Sequence, residues 1–317
     1  MVVSKFLLVS ILDVLLGINF LSPVSLIYDA LEESPSGYSD PRAQSTPYLL
    51  PDSETSYFPI RNWEVSDPDL TLRSAIVYDI ASDKILFGLD PDSKMPIASL
   101  TKLMTAVAVI ENMDLEDAIM IKNSAIERSK SEGGGSNLYA GEKIKAADLL
   151  KLMLIKSSND AAYAFEEYLA ENYGVNLTEK MNEKAAALEM ADTFFTEPAG
   201  LDDLKSFSTG NDLVKLVKYS FKYGNLYEIL KTQEAEIASI DGRLKHQIFN
   251  TNELLGRLFN IIGGKTGFTE LSGGSMILVT QAPKGESRII TIVLGSSDRF
   301  GDAENLVKWA GKAYLWK

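Results

Sequence analysis

A chain of 317 residues with 45% hydrophobic content has ample length to bury one large core or two small ones. Its formal net charge is −13 and no block of Lys or Arg stands out, which argues against nucleic acid and anionic membrane surfaces as partners. With no cysteine and a single histidine, His246, it has no disulfides, no thiolate chemistry and at most one imidazole for a triad or a zinc site. No metal or cofactor is expected, and a nucleophilic enzyme of this composition must look to lysine for its base. His246 itself lies in Leu244-Lys245-His246-Gln247, polar company that reads as surface.

Phe6 to Tyr28 is predominantly apolar and long enough to span a hydrocarbon core, with Lys5 before it and Asp29, Glu32 and Glu33 after. Asp13 opposes insertion by about 3 kcal/mol, but the Leu, Ile, Val and Phe residues favour it by roughly 0.3–0.6 kcal/mol each, so insertion wins. A signal peptide is the alternative, yet no small-x-small site follows: Tyr28-Asp29-Ala30 has a bulky residue at −3. The expectation is a cytoplasmic tail over 1–5 and a membrane anchor or signal segment over 6–28. The remainder then lies on the extracytoplasmic side, or is exported if the segment is cleaved. Residues 29–69 are rich in Ser, Pro, Asp and Glu without a period of 2 or 3.6, and read as a disordered tether.

The folded domain is expected over 70–317. Ser74-Ala75-Ile76-Val77-Tyr78-Asp79 and Ile85-Leu86-Phe87-Gly88 flank a short polar turn and read as a hairpin. Next comes Pro96-Ile97-Ala98-Ser99-Leu100-Thr101-Lys102, where a proline and small residues give way to a buried helix starting near Ser99. Ser99 and Lys102 are one helical turn apart and share a face. The backbone N–H of a first-turn serine is also among the unpaired donors that stabilise an anion. One turn can thus supply a nucleophile, its base and half of an oxyanion hole.

From Leu115 to Leu230 the pattern is mainly helical, with helices expected over Ala146–Ile155, Ala161–Glu171, Leu177–Met190 and Asn211–Tyr223, and a loop at Gly133-Gly134-Gly135. After Phe259 strand character returns over Ile262–Phe268, Ser275–Gln281 and Ile289–Gly295, before a last helix over Ala303–Leu315. Strands, helices, then strands describe an α+β domain with one antiparallel sheet assembled from both ends.

Two further stretches carry chemistry. In Ser157-Ser158-Asn159 a hydroxyl can pass a proton and an amide can hold a substrate carbonyl and a lysine head. In Gly263-Gly264-Lys265-Thr266-Gly267 the glycines let a substrate backbone lie close, while ammonium and hydroxyl meet a carboxylate. A phosphate loop is excluded there, because Phe259 stands where its first glycine belongs and a strand follows the lysine.

S-x-x-K, S-x-N and K-T-G in this order are the set of penicillin-binding proteins and serine β-lactamases. The chain most resembles the D-alanyl-D-alanine carboxypeptidase family of low-molecular-weight penicillin-binding proteins over roughly residues 70–317. The likeness rests on Ala98-Ser99-Leu100-Thr101-Lys102-Leu103-Met104-Thr105-Ala106, Asn159-Asp160-Ala161-Ala162, Glu197-Pro198-Ala199-Gly200-Leu201-Asp202, Phe207-Ser208-Thr209, Asn250-Thr251-Asn252-Glu253-Leu254-Leu255 and Lys265-Thr266-Gly267-Phe268-Thr269. It implies a β-lactamase/transpeptidase-like fold: a five-stranded antiparallel sheet flanked by helices, plus a mostly helical lobe.

The resemblance also implies a serine-type carboxypeptidase acting on peptidoglycan peptides ending in D-Ala-D-Ala, with β-lactams as covalent inhibitors. Ser99 attacks the carbonyl, Lys102 takes the proton, kept neutral by burial and by Lys265, and Ser157 relays that proton to the leaving amine. Asn159 orients the substrate amide, and the backbone N–H groups of Ser99 and Phe268 form the oxyanion hole. Lys265, Thr266, Gly267 and Arg299 bind the free carboxylate; Arg299 stands ten residues before Trp309, as a family arginine does before its tryptophan.

Departures keep alternatives open. The chain ends soon after its last expected helix, so the β-rich C-terminal domain and anchor of many carboxypeptidases are expected to be missing. Glu197-Pro198 in place of Asn-Pro looks like the D,D-endopeptidase branch, which cuts cross-bridges. Glu197 also lies near where a class A β-lactamase keeps its deacylating glutamate. A non-catalytic penicillin-binding sensor is the reading from another class.

Overall fold

The computed structural model describes residues 58–131, 138–284 and 287–316. The expected anchor over 6–28, the glycine loop at 133–135 and most of the expected tether lie outside these residues. Among the described residues no helix is long and apolar enough to cross a membrane.

The first element, β1 (Pro59–Arg61), falls inside the stretch expected to be a tether. It pairs antiparallel with Tyr314–Trp316, and the Arg61 guanidinium donates to Val65 O at 2.7 Å and lies 5.0 Å from the Trp309 ring centre. The folded unit therefore starts before residue 70. A three-residue strand carries no readable period, so only its distant partner defines it.

Strands β2 (Ser74–Asp79) and β3 (Lys84–Leu89) form the expected hairpin. A 3₁₀ turn, Ala98–Leu100, then runs into α1 (Thr101–Asn112). Every α1 residue from Thr101 to Val109 is buried, so this helix is the axis of the domain rather than an amphipathic cover.

The helical lobe comprises β4 (Ala118–Met120), α2 (Asn123–Ser131), β5 (Lys143–Lys145), α3 (Ala146–Ile155), α4 (Asn159–Tyr173), α5 (Leu177–Ala187), α6 (Gly210–Ser220) and α7 (Gly224–Lys231). Helices α3 to α6 follow the expected segments within a few residues. A hairpin of β6 (Glu234–Ala238) and β7 (Lys245–Phe249) closes the lobe, in a region where no strand was expected.

That hairpin corrects the reading of His246. Alternation along β7 turns His246 and Ile248 inward, leaving Lys245, Gln247 and Phe249 exposed. The imidazole is 9% exposed, and its Nε2 lies 2.8 Å from Oε2 of the buried Glu142. Polar sequence neighbours concealed a half-apolar strand.

The chain returns as β8 (Ile261–Thr269), β9 (Gly273–Gln281) and β10 (Arg288–Ser296), followed by α8 (Arg299–Ala313) and β11 (Tyr314–Trp316). The sheet order is β3-β2-β10-β9-β8, with every neighbouring pair antiparallel. Its two faces bury alternate residues. Ile76, Ile277, Val279, Ile290 and Ile292 join the core around α1. Ala75, Val77, Met276, Leu278 and Val293 pack with Leu306, Trp309 and Ala310 of α8. β8 is an edge strand, and residues 265–267 of it lie in the lobe-facing wall.

Far from the sheet edge, Glu111 at the end of α1 fastens α5 and α6 to it. Its carboxylate meets the Lys184 ammonium at 2.8 Å and the Lys222 ammonium at 3.0 Å, and accepts from the Tyr219 and Tyr223 hydroxyls. Partial burial raises its pKa, but hydrogen bonds from Lys184, Tyr219, Tyr223 and Lys222 win and hold it at about 2. A depressed carboxylate stabilises the fold above its unfolded pKa and loses that contribution as pH falls through the folded one. Glu111→Gln is therefore expected to lower the melting temperature at pH 7, with the gap to wild type closing between pH 4.5 and about 2.

Candidate active site

The 3₁₀ turn presents Ser99 at the floor of a 670 Å³ cleft between the lobe and β8. Ala98, just before it, is held at φ 49°, a left-handed conformation that costs a residue with a Cβ about 1–3 kcal/mol. Such strain persists only where the surroundings enforce it. Here they do: Gly200 stands at φ 81°, and a Cβ there would come within 2.0 Å of Ala98 O. Gly267 of β8 is tight as well, since its Cβ would lie 3.0 Å from Ile97 O and 3.1 Å from Ser99 N, a crowding that neighbours must relieve by a few tenths of an ångström. Two glycines let a loop and a strand close on the serine turn from both sides.

Lys102 is fully buried, and its Nζ lies 2.9 Å from Ser99 Oγ, 2.7 Å from Asn159 Oδ1 and 2.5 Å from Ala199 O. The amide and carbonyl oxygens can only accept, so they take two N–H bonds. A neutral amine then points its lone pair at the serine hydroxyl, which donates to it. Burial is the main influence on this group and lowers its pKa to about 7, against the raising fields of Glu197 and Asp160. The sequence reading made Lys265 a second cause of that depression. Repulsion between two ammonium groups is mutual, and Lys265 in turn is pushed well below its usual range by burial, then Lys102, then Arg299.

Ser157 closes α3 at φ 63°, a second left-handed position, and Asn159 opens α4 after the cap residue Ser158. The kinked link between the helices turns Ser157 toward the sheet, where its Oγ accepts from Lys265 Nζ at 2.8 Å. The Lys265 amine also donates to Thr266 O at 2.9 Å. Thr266 is buried, and its Oγ1 lies 2.5 Å from Thr251 Oγ1.

Of the residues singled out in the sequence, Ser99, Asn159, Glu197 and Phe268 line the cleft itself. Lys102, Lys265 and Thr266 form its buried backing. Phe268 is an exposed residue on the rim. Arg299, at the start of α8, is half-buried with its guanidinium 5.9 Å from the Phe268 ring centre, and its Nε has no hydrogen-bond partner. It stands behind the rim rather than in the lining.

Sequence reasoning missed the Ala199 carbonyl, a backbone atom that no side-chain pattern announces. The work of Glu197 was also hidden. Its carboxylate accepts from the backbone N–H groups of Ala199 at 2.6 Å, Leu201 at 2.7 Å and Gly200, and from the Tyr163 hydroxyl at 3.1 Å. Both oxygens are committed to the turn that carries Ala199 O to Lys102. Gly200, Leu201, Asp202 and Thr269, all from segments quoted in the sequence, also line the cleft, and Asp203 and Glu270, which came from no motif, complete it.

An α+β domain with a buried amine beside a serine, faced by a second lysine on the sheet edge, is the architecture of the penicillin-interacting serine D,D-peptidases. The chain belongs to the peptidase S11 family, described as D-alanyl-D-alanine carboxypeptidase, whose pattern it matches over residues 61–298. It is 35% identical to a D-alanyl-D-alanine endopeptidase of Pseudomonas aeruginosa over 247 residues, 76% of this chain and 77% of that protein. It is 31% identical to a D-alanyl-D-alanine carboxypeptidase of Escherichia coli over 257 residues, 77% of this chain and 62% of the other. Its fold is similar to the crystal structure of the Streptomyces K15 DD-transpeptidase, with a TM-score of 0.71 at 24% identity, covering 78% of this chain and 99% of that one. The chain is thus a serine D,D-peptidase of peptidoglycan.

Proposed function

We propose that this D,D-peptidase is an endopeptidase that cuts peptidoglycan cross-links through an acyl-enzyme on Ser99. The observation that carries the chemistry is the 2.9 Å contact between Ser99 Oγ and an amine whose pKa burial lowers to about 7. Lys102 takes the hydroxyl proton as Ser99 attacks the D-alanyl carbonyl, and the N–H groups of Ser99 and Phe268 receive the oxyanion, each donor worth about 3 kcal/mol. The leaving amine takes its proton through Ser157, whose oxygen already accepts from Lys265. Asn159 orients the scissile amide, and water then releases the acyl group. Lys265, Thr266 and Arg299 receive the carboxylate of the leaving residue.

A carboxypeptidase, the sequence expectation, would use the same steps. Both leaving groups carry a carboxylate beside the scissile nitrogen: a terminal D-alanine in one case, the D-centre of a cross-linking diamino acid in the other. They differ in the bulk beyond that carboxylate. The likeness to the Pseudomonas endopeptidase, at 35% identity over 76% of this chain and 77% of that protein, supports the larger substrate. On this reading residues 6–28 anchor the enzyme in the cell membrane, with the catalytic domain on the extracytoplasmic side.

Four measurements check these assignments. Fluorescent penicillin is expected to label the wild type covalently and to leave Ser99→Ala unlabelled; mass spectrometry should then show a cross-linked muropeptide cut faster than D-alanine is released from a pentapeptide. Faster D-alanine release restores the carboxypeptidase reading, and acylation without turnover of either substrate the sensor. Because only the neutral amine accepts a proton, the acylation rate should rise with pH and level off above about 7, and Glu197→Gln, which removes a raising charge, should shift the midpoint downward. Finally, deletion of residues 1–28 is expected to move the protein from the membrane fraction to the soluble one.

A further inference from the structure

The segment Asn250-Thr251-Asn252 was noted in the sequence without a role, and the structure places it between the two halves of the site. It is a stiff loop. Asn250 N donates to Gln233 O at 2.7 Å, Asn250 Nδ2 to Thr232 O at 2.8 Å, and Asn252 N to Asn250 Oδ1 at 2.9 Å. Thr251 N donates to Ile155 O at 3.2 Å, on the last residue of α3, two positions before Ser157. On its other side Thr251 Oγ1 meets Thr266 Oγ1 at 2.5 Å. One residue therefore bridges the helix end that positions Ser157 and the strand that carries Lys265 and Thr266.

A hydroxyl has one proton and two lone pairs. If Thr266 spends its proton on Thr251, it presents only lone pairs to an incoming carboxylate, and the two repel. If Thr251 donates instead, the Thr266 proton is free to point into the cleft, and the chain Thr251 O–H to Thr266 O–H to carboxylate is mutually polarised. An anion in the cleft selects this second arrangement. Thr251 has no charge to offer the substrate and acts only through its neighbour.

We propose that Thr251 is a positioning residue for carboxylate recognition, its hydroxyl donating to Thr266 so that the Thr266 proton faces the free carboxylate of the substrate. The proposal rests on the reading of Thr266 as part of the carboxylate site.

The test compares acylation by benzylpenicillin with acylation by its methyl ester, which lacks the anion, in the wild type and in Thr251→Val, Thr251→Ala and Thr251→Ser. The wild type is expected to prefer the free acid. Thr251→Val and Thr251→Ala should each lose about tenfold in acylation by the acid, the scale of one hydrogen bond in a charged chain, with the ester rate unchanged. Thr251→Ser should retain the preference. Equal losses for acid and ester in the valine and alanine variants would make the role structural and overturn the proposal, as would no loss for either. A wild type that reacts with both probes at the same rate instead overturns the carboxylate reading of Thr266, and the proposal with it. Melting temperatures of the three variants identify any that is misfolded, and the remaining variants then decide the outcome.

Discussion

Two lysine amines buried in one cleft are the constraint around which this site is built. Removing an ammonium from water costs several kcal/mol even after relaxation, and a second cation nearby adds repulsion. The protein answers by lowering both pKa values and by giving each amine hydrogen bonds that do not require charge. Lys102 has Ala199 O and Asn159 Oδ1; Lys265 has Ser157 Oγ and Thr266 O. Glu197 and Asp160 pull Lys102 back toward protonation, yet burial outweighs them and the amine settles near 7. The balance leaves a base that is available at neutral pH without being permanently deprotonated.

That chemistry needs backbones brought closer than side chains permit. Gly200 on the lobe and Gly267 on the sheet edge touch the serine turn from opposite sides; the first excludes a Cβ and the second would crowd one. The left-handed Ala98 and Ser157 carry the strain of aiming their neighbours at a common point. A fully buried α1 and a sheet packed on both faces supply the rigidity that holds such positions. Glu197 serves the same end by capturing consecutive amides of the Gly200 turn, so one carboxylate both shapes the loop and tunes the base.

Much of this was readable in advance because the signals are local. The helix after Ser99, the helices of the lobe and the strands at each end announce themselves through period and turn residues. The one-turn spacing of Ser99 and Lys102 and the strand glycines around Lys265 carry chemical meaning on their own. β1 and the inward face of His246 were misread for the opposite reason. Three residues have no period, and a polar neighbourhood in sequence says nothing about which side of a strand meets a core.

By itself, then, the sequence determined the longer helices and the sheet strands at both ends, the order of the three motifs and the kind of nucleophile, since each depends on residues within a turn or a strand of one another. Only the tertiary structure decided which atoms meet. Ala199 O on Lys102, Thr251 on Thr266, and Arg61 on the ring of Trp309 join positions far apart in the chain. The physical reason is that hydrogen bonds and burial act over a few ångströms of space, and only packing of the whole chain sets those separations.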